Sequence, residues 1–146
     1  MGLKNSLQKF LLKRPFKKKT EKEKLLSARV SKIIGQNVKN LDYYQEAFSL
    51  KIPNKTTGAK NYERLEFLGD AVLGSIISCY LYKNYPDANE GFLTQMKSKI
   101  VNRKNLNSLG EKLKLTDFIQ NGGNGNLGEN ISGNLFEAFI GALYLD

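Results

Sequence analysis

Three acidic side chains recur at helical spacing near the middle of the sequence. Glu63, Glu66 and Asp70 occupy positions i, i+3 and i+7, which puts them within roughly 60° of one another on a helical wheel. Apolar positions of the same segment fall nearly opposite: Leu65, Leu68, Val72 and Ile76. An ordinary solvated acidic face would show the same spacing. It usually mixes charge signs, however, whereas three like charges on one face repel each other.

Other residues of this segment indicate contacts with further chain. Phe67 borders the acidic face and lies away from the apolar stripe, which predicts a contact surface for this aromatic ring. Gly69 and Gly74 each cost a helix about 1 kcal/mol relative to alanine. The close approach of another helix would explain both glycines.

A second candidate element lies at the end of the sequence. From Gly133 onward the chain is almost wholly apolar, and Asn134 and Glu137 are its polar side chains before Tyr144. A helix that is apolar all round is buried, and a buried carboxylate needs a partner. A hydrogen bond from Glu137 to backbone or to Arg64 is one possibility.

A divalent cation is the other possible partner of Glu137. If Glu137, Glu66 and Asp70 shared one ion, both the buried acid and the like-charged face would be accounted for. Mg²⁺ prefers oxygen ligands and retains waters, and a metal-bound water can act as the nucleophile in phosphodiester hydrolysis.

The composition narrows the chemistry. The 146 residues suit one domain, and the absence of histidine excludes Ser-His-Asp and Cys-His nucleophiles and histidine-ligated zinc. The positive charge is concentrated in the first part of the chain. Residues 1–60 carry fifteen Lys/Arg against four Asp/Glu, while residues 61–146 carry eight against ten.

We read residues 1–22 as a basic, flexible arm, which either binds a polyanion or is a solvated tail. Cys79, within an apolar run, is predicted to be a buried thiol in a reducing cytosol.

The rest of the chain reads as helices joined by short loops, an all-α domain over residues 23–146. Apolar spacing predicts the elements. They are Glu21–Ile34 with Leu25, Leu26, Val30 and Ile33 at helical spacing, Asn40–Leu50, Tyr62–Tyr85, Glu90–Leu115 interrupted near Asn102–Asn107, and a last helix from Gly133 to Asp146. Residues 51–60 and 121–130 are predicted loops. The GxGxxG spelling at Gly123–Gly128 lacks the flanking strand of a dinucleotide site. We find no signal peptide and no run of transmembrane length, and expect a cytoplasmic protein.

The segment Asn61–Asp70 resembles the signature of the ribonuclease III family, in which Glu63-Arg64-Leu65-Glu66-Phe67-Leu68-Gly69-Asp70 matches in order. Similarity continues at Tyr44–Phe48, at Glu90-Gly91 and at Phe136–Asp146, and covers roughly residues 28–146. The resemblance implies a helical, homodimeric endonuclease domain that cleaves double-stranded RNA in RNA processing, rRNA maturation included, and leaves 5′-phosphate and 3′-hydroxyl ends.

The resemblance also assigns residues. It places Mg²⁺, with Mn²⁺ as a substitute, on Glu66, Asp70, Asn134 and Glu137, adds Glu63 and Glu90 as further catalytic acids, and makes Phe67 a plug into the dimer partner. Basic residues that follow are candidates for RNA contact, with a solvated face as the alternative: Lys97, Lys99, Arg103 and Lys104.

Two departures from the family pattern qualify these expectations. Asn134 stands where the family usually has aspartate, so its oxygen can bind Mg²⁺ without contributing charge. We also expect the domain to be incomplete at its C-terminal side, with no double-stranded-RNA-binding domain in this chain. A catalytically inactive ribonuclease III-like RNA-binding or ribosome-associated module is therefore the alternative function. A helical protein-interaction domain with a chance acidic stripe is the third.

Overall fold

The computed structural model describes residues 18–50, 61–121 and 127–146. These ranges form α-helices and one short 3₁₀ helix, Leu115–Phe118, and their β pairing is a single isolated bridge between Ser49 and Asn121. The α-helices are α1 (Glu21–Ile34), α2 (Leu41–Ala47), α3 (Glu63–Asn84), α4 (Glu90–Ile100), α5 (Arg103–Lys112) and α6 (Ile131–Leu145). The prediction of an all-α domain is confirmed. Most of the basic arm, the 51–60 loop and most of the GxGxxG segment lie outside the described residues.

Helix α1 has the bounds that the sequence predicted, and its ends explain why. Thr20 and Glu23 form a reciprocal capping box at the N-terminus, and Gly35 ends the helix with φ of 72°, a left-handed conformation that suits glycine. Leu26 and Val30 are buried, but Leu25 is 61% exposed. The face that α1 buries is thus narrower than the apolar stripe of the sequence, and Leu25 lies outside it.

The core is an aromatic cluster between α2, the 3₁₀ helix and α6. Tyr44 and Phe48 are fully buried, and the Phe48 ring lies 5.0 Å from that of Phe118 and 6.1 Å from that of Phe139. Rings at these separations add to the free energy gained by burying their area. This cluster supports the side of α6 that faces away from α3.

Helices α3 and α6 cross almost in backbone contact. A Cβ on Gly69 would lie 1.7 Å from the carbonyl oxygen of Glu137, and one on Gly141 would lie 2.3 Å from that of Leu65. The pairing of Leu65 with Gly141 and of Gly69 with Glu137 makes the two helices antiparallel. The predicted close approach is confirmed at Gly69. At Gly74 it was wrong, because the nearest atoms there belong to the end of the Lys97 side chain.

The C-terminal half of α3 extends beyond α6. Since α6 begins at Ile131 and runs antiparallel to α3, residues after about position 75 have no part of α6 opposite them. Ile76 is 56% exposed and Cys79 is also exposed. The prediction of a buried Cys79 thiol and the placing of Ile76 in the core stripe were therefore wrong. Leu81, in contrast, is buried.

Helix α3 also corrects the expectation about transmembrane length. It is the one helix within the described residues that is long and apolar enough to cross a membrane by length and composition, with a mean hydropathy of 1.3. Its first turns carry Glu63, Glu66 and Asp70, and it packs closely on α6. These features suit the central helix of a folded domain.

The last residue ties α6 to the start of α2. The Asp146 carboxylate accepts hydrogen bonds from the backbone N–H groups of Lys39 and Asn40 and from the Tyr44 hydroxyl, the first and last at 3.2 Å. Burial, followed by the charge of Asp146, raises the pKa of Tyr44 above its usual range. The contact fixes the end of α6 against the aromatic core.

Candidate metal centre

Glu137 is a buried acid at the crossing of α3 and α6. It is 4% exposed, as predicted from the apolar character of its helix. Burial raises the pKa of Glu137; Arg103 lowers it, and the charges of Asp70 and Glu66 raise it further. The net direction is upward, because a carboxylate taken out of water near two like charges holds its proton more tightly.

Glu66 and Asp70 face Glu137 from α3. Glu66 is half-buried and Asp70 is exposed. Burial is the largest cause of the raised pKa of Glu66, with Arg103 acting in the opposite direction and Glu63 and Asp70 adding to the increase. The contact of Gly69 with the Glu137 backbone brings together acids that the sequence placed on separate elements, and their like charges accordingly raise the pKa values of Glu66 and Glu137.

Among the residues that the structure describes, the side chain of Glu137 is paired with Arg103 rather than with Arg64 or a backbone group. Nη1 of Arg103, the first residue of α5, lies 3.4 Å from Oε2 of Glu137 and 2.6 Å from Oδ1 of Asn134. The sequence had assigned Arg103 to RNA contact. Two close approaches, that of Gly110 to Ser132 and that of Gly133 to Asn107, bring α5 against α6. Small residues in both helices were the signal that could have revealed this contact.

The donor set suits a hard divalent cation. Glu66, Asp70 and Glu137 offer carboxylate oxygens and Asn134 offers an amide oxygen, which is the ligand chemistry that Mg²⁺ prefers. Within the described ranges, no three acidic or thiol side chains stand close enough to hold one ion in their present positions. Binding would therefore require side-chain adjustment around Arg103.

The two remaining predicted acids occupy different surroundings. Glu63 begins α3 beside Glu66 and is paired with Asn61, whose side chain contacts both the backbone N–H and the carboxylate of Glu63. Glu90 begins α4 and accepts a hydrogen bond from the Thr94 hydroxyl at 2.7 Å. It lines a separate cleft between α3 and α4. Within one chain, the structure brings Glu63 to the acidic cluster and leaves Glu90 apart.

The predicted RNA-contacting residues lie along α4 and the start of α5. Lys99 and Lys104 are exposed, and Lys97 is half-buried over Gly74. Arg103 differs from these three, because its guanidinium points at the acidic cluster. Lys99 and Lys104 thus present their charges to solvent near the junction of α4 and α5, whereas Lys97 lies against Gly74 of α3.

Phe67 is the most exposed large hydrophobic residue among those described, at 81%. Its ring forms one wall of a cleft of about 600 Å³. The other lining residues come from α2, α3 and the end of α6: Tyr43, Glu46, Glu63, Arg64, Leu65, Leu68 and Leu145. An exposed aromatic ring thus lies beside a partly apolar cavity.

Comparison with known proteins agrees with this fold. Residues 63–146 match the family model of the ribonuclease III domain. The chain is 50% identical to ribonuclease 3 of Zunongwangia profunda, over 79% of this chain and 49% of that protein. It is 46% identical to ribonuclease 3 of Flavobacterium psychrophilum, over 88% of this chain and 54% of that protein. It spans about half the length of these curated relatives.

A solved structure shares the architecture. The nuclease domain of ribonuclease III from Campylobacter jejuni, described as flexible in a region involved in dimer formation, superimposes with a TM-score of 0.69 at 29% identity. The match covers 80% of this chain and 83% of that one. The helical fold and the matched segment with its acids thus define a ribonuclease III domain. The chain belongs to the ribonuclease III family.

Proposed function

We propose that the chain is the catalytic part of a metal-dependent endoribonuclease that cleaves double-stranded RNA in RNA processing and leaves 5′-phosphate and 3′-hydroxyl ends. The observation that carries the proposal is the buried Glu137 held beside Glu66 and Asp70. Gathering like charges in a half-buried site is costly, and a catalytic cation would offset that cost.

Each residue has a part in this proposal. Glu66, Asp70, Asn134 and Glu137 would hold Mg²⁺, or Mn²⁺ in its place, and the ion would supply an activated water and stabilise charge on the phosphate. The helix crossing fixes the backbone of Glu137, so its side chain starts from the buried side of the acidic cluster. Asn134 contributes an oxygen without charge, so we expect weaker metal binding than with aspartate. Glu63 supports the site beside Glu66, and a catalytic role for Glu90 stays a prediction.

The surroundings of the site support a polyanionic substrate. Lys97 and Lys99 lie on α4, and Lys104 lies on α5 next to Arg103, which contacts Asn134 and Glu137. Cations placed along a groove neutralise backbone phosphates of an RNA duplex. The basic arm at residues 1–22 would add to the same attraction. A cytoplasmic location suits such a substrate and stays a prediction.

A homodimer is part of the proposal. Phe67 and the cleft beside it lie on one surface. In a two-fold dimer the same patch is used twice, so each Phe67 would insert into the partner's cleft. Such insertion would bury the most exposed apolar ring of the described residues.

The site is tested by Glu137→Gln, with Glu111→Gln as the matched control on the exposed surface of α5. We expect Glu137→Gln to abolish cleavage of a duplex RNA in Mg²⁺, because the amide removes the buried anionic ligand, while the control cleaves normally. Circular dichroism should show both variants folded. Undiminished cleavage by folded Glu137→Gln would rule out the site.

The dimer is tested by Phe67→Ala in sedimentation equilibrium. An aromatic anchor at the centre of an interface contributes about 2 kcal/mol or more, so we expect the dimer dissociation constant to rise about thirtyfold. Leu25→Ala removes another exposed apolar side chain, on α1, and should leave the dimer unchanged. A Phe67→Ala dimer as tight as the wild type would show that this surface is not the interface.

The alternative is an inactive RNA-binding relative, and Asn134 is the observation that favours it. Incubation of the wild-type chain with duplex RNA and Mg²⁺ separates the two functions. Intact RNA together with retained binding would favour the inactive module.

A further inference from the structure

Arg103 reaches from the first position of α5 across to α6. Its Nη1 lies 2.6 Å from Oδ1 of Asn134 and 3.4 Å from Oε2 of Glu137. Asn134 and Glu137 supply the two α6 ligands of the proposed metal centre. Because a guanidinium is always charged and only donates hydrogen bonds, Arg103 is a permanent cation on these two oxygens.

The two partners differ in freedom of movement. The Glu137 side chain is 6% exposed, whereas that of Arg103 is 48% exposed. Glu137 is held by the backbone crossing of Gly69 and Gly141. Arg103 sits at the end of its helix on a long, flexible stem, so rotation into water requires no movement of a helix.

A divalent cation and the guanidinium compete for the same oxygens. Mg²⁺ ligated by Asn134 and Glu137 would lie about 2.1 Å from each oxygen, and so within a few ångströms of the present position of Arg103. Two cations at that separation repel each other strongly where water is partly excluded. Both cannot occupy the site with the present contacts.

We propose that Arg103 is a resident counter-cation of the acidic cluster, which holds Asn134 and Glu137 in the metal-free chain and leaves them when a divalent cation binds. This inference rests on the proposed metal centre. The amide at Asn134 then has a double effect. The amide weakens metal binding because it contributes no charge. It also weakens the binding of Arg103, because the guanidinium then faces one carboxylate, that of Glu137, whereas an aspartate at position 134 would add a second.

Release would also give Arg103 a second position. Lys99 and Lys104 lie on the exposed surface around the same helix start, so a guanidinium turned outward joins the surface proposed to meet RNA phosphates. Metal binding and the predicted RNA contact of Arg103 would therefore be coupled through one side chain.

The test is Mn²⁺ binding to the full chain at neutral pH, measured by calorimetry without RNA. We compare the wild type with Arg103→Ala and with Lys104→Ala, which removes the same charge one position along but leaves the contacts to Asn134 and Glu137. We expect Arg103→Ala to bind Mn²⁺ about tenfold more tightly, within the usual range of coupling between two ligands, and Lys104→Ala to change affinity much less. Unchanged or weaker binding by Arg103→Ala overturns the inference.

If Arg103→Ala does not fold, a measurement on the wild type tests the same inference. During a Mg²⁺ titration, the Nε–Hε nuclear magnetic resonance signal of Arg103 should shift. That of Arg29, held 4.0 Å over the Phe118 ring, should stay in place. A stationary Arg103 signal with Mg²⁺ bound overturns the inference alone. Absence of metal binding in the wild type and in Arg103→Ala overturns the metal centre and this inference together.

Discussion

Gly69→Ala is the sharpest test of the crossing that builds the site. The added Cβ would lie 1.7 Å from the carbonyl oxygen of Glu137 and 2.6 Å from its carbonyl carbon. Both atoms are backbone, so the helices must separate by about 1 Å or more. Overpacking of this kind costs about 1–3 kcal/mol and occasionally more. Because the clash is with backbone, we expect a cost near the upper end of this range, which exceeds the gain of about 1 kcal/mol that alanine brings to a helix.

The matched control is Gly74→Ala in the same helix. Its Cβ would meet only the end of the Lys97 side chain, at 3.3 Å, and that end can move away. We expect Gly74→Ala to be neutral or to raise the free energy of unfolding by up to about 1 kcal/mol. Gly69→Ala should lower it by about 2 kcal/mol, which is the upper end of the overpacking cost less the gain in helix propensity, measured by urea denaturation in EDTA. Equal stability of the two variants would refute the close crossing.

Two further predictions concern charge. Asp146→Ala leaves two backbone donors of the α2 start and the Tyr44 hydroxyl without their acceptor, and should cost about 1–3 kcal/mol in urea denaturation; Asp87→Ala, an exposed acid, should cost nothing measurable. The second prediction concerns the pH dependence of stability and follows from the raised pKa values of Glu66 and Glu137. A carboxyl group whose pKa is higher in the folded state than in the unfolded state stabilises the fold while it is protonated. That contribution to the free energy of unfolding is lost as the pH rises through the folded-state pKa. Metal-free Glu137→Gln should therefore gain stability over the wild type as pH rises above the ordinary glutamate value of 4.5, and a pH-independent difference would contradict this.

The placement of the candidate acids was predictable because it follows from local patterns. Glu66 and Asp70 share a face by helical spacing, and Glu137 stands out as a charge in an apolar helix that must be buried. The burial of Glu137 is confirmed. Such inferences need only the periodicity of one helix and the cost of burying charge.

Features that depend on where one helix ends against another were not predictable. Cys79 lies in an apolar run, yet it is exposed because α6 does not extend along that part of α3. Arg103 contacts Asn134, 31 positions away in the chain, and no spacing rule relates them. Composition indicated which residues are apolar or charged, but the relative lengths and offsets of the helices decide which of them are covered.

The glycine crossing and the acidic cluster have one cause. Gly69 lets α6 approach α3 so closely that Glu137 must lie beside Glu66 and Asp70. Any residue with a Cβ at position 69 would separate the acids and relieve their repulsion. The chain instead has glycine at position 69, which lowers helix propensity, and it has clustered like charges, which are costly to bury. Packing alone would favour a neutral side chain in place of Glu137. The combination of close packing with like charges around one buried carboxylate supports the proposed cation-binding site over an ordinary helical core.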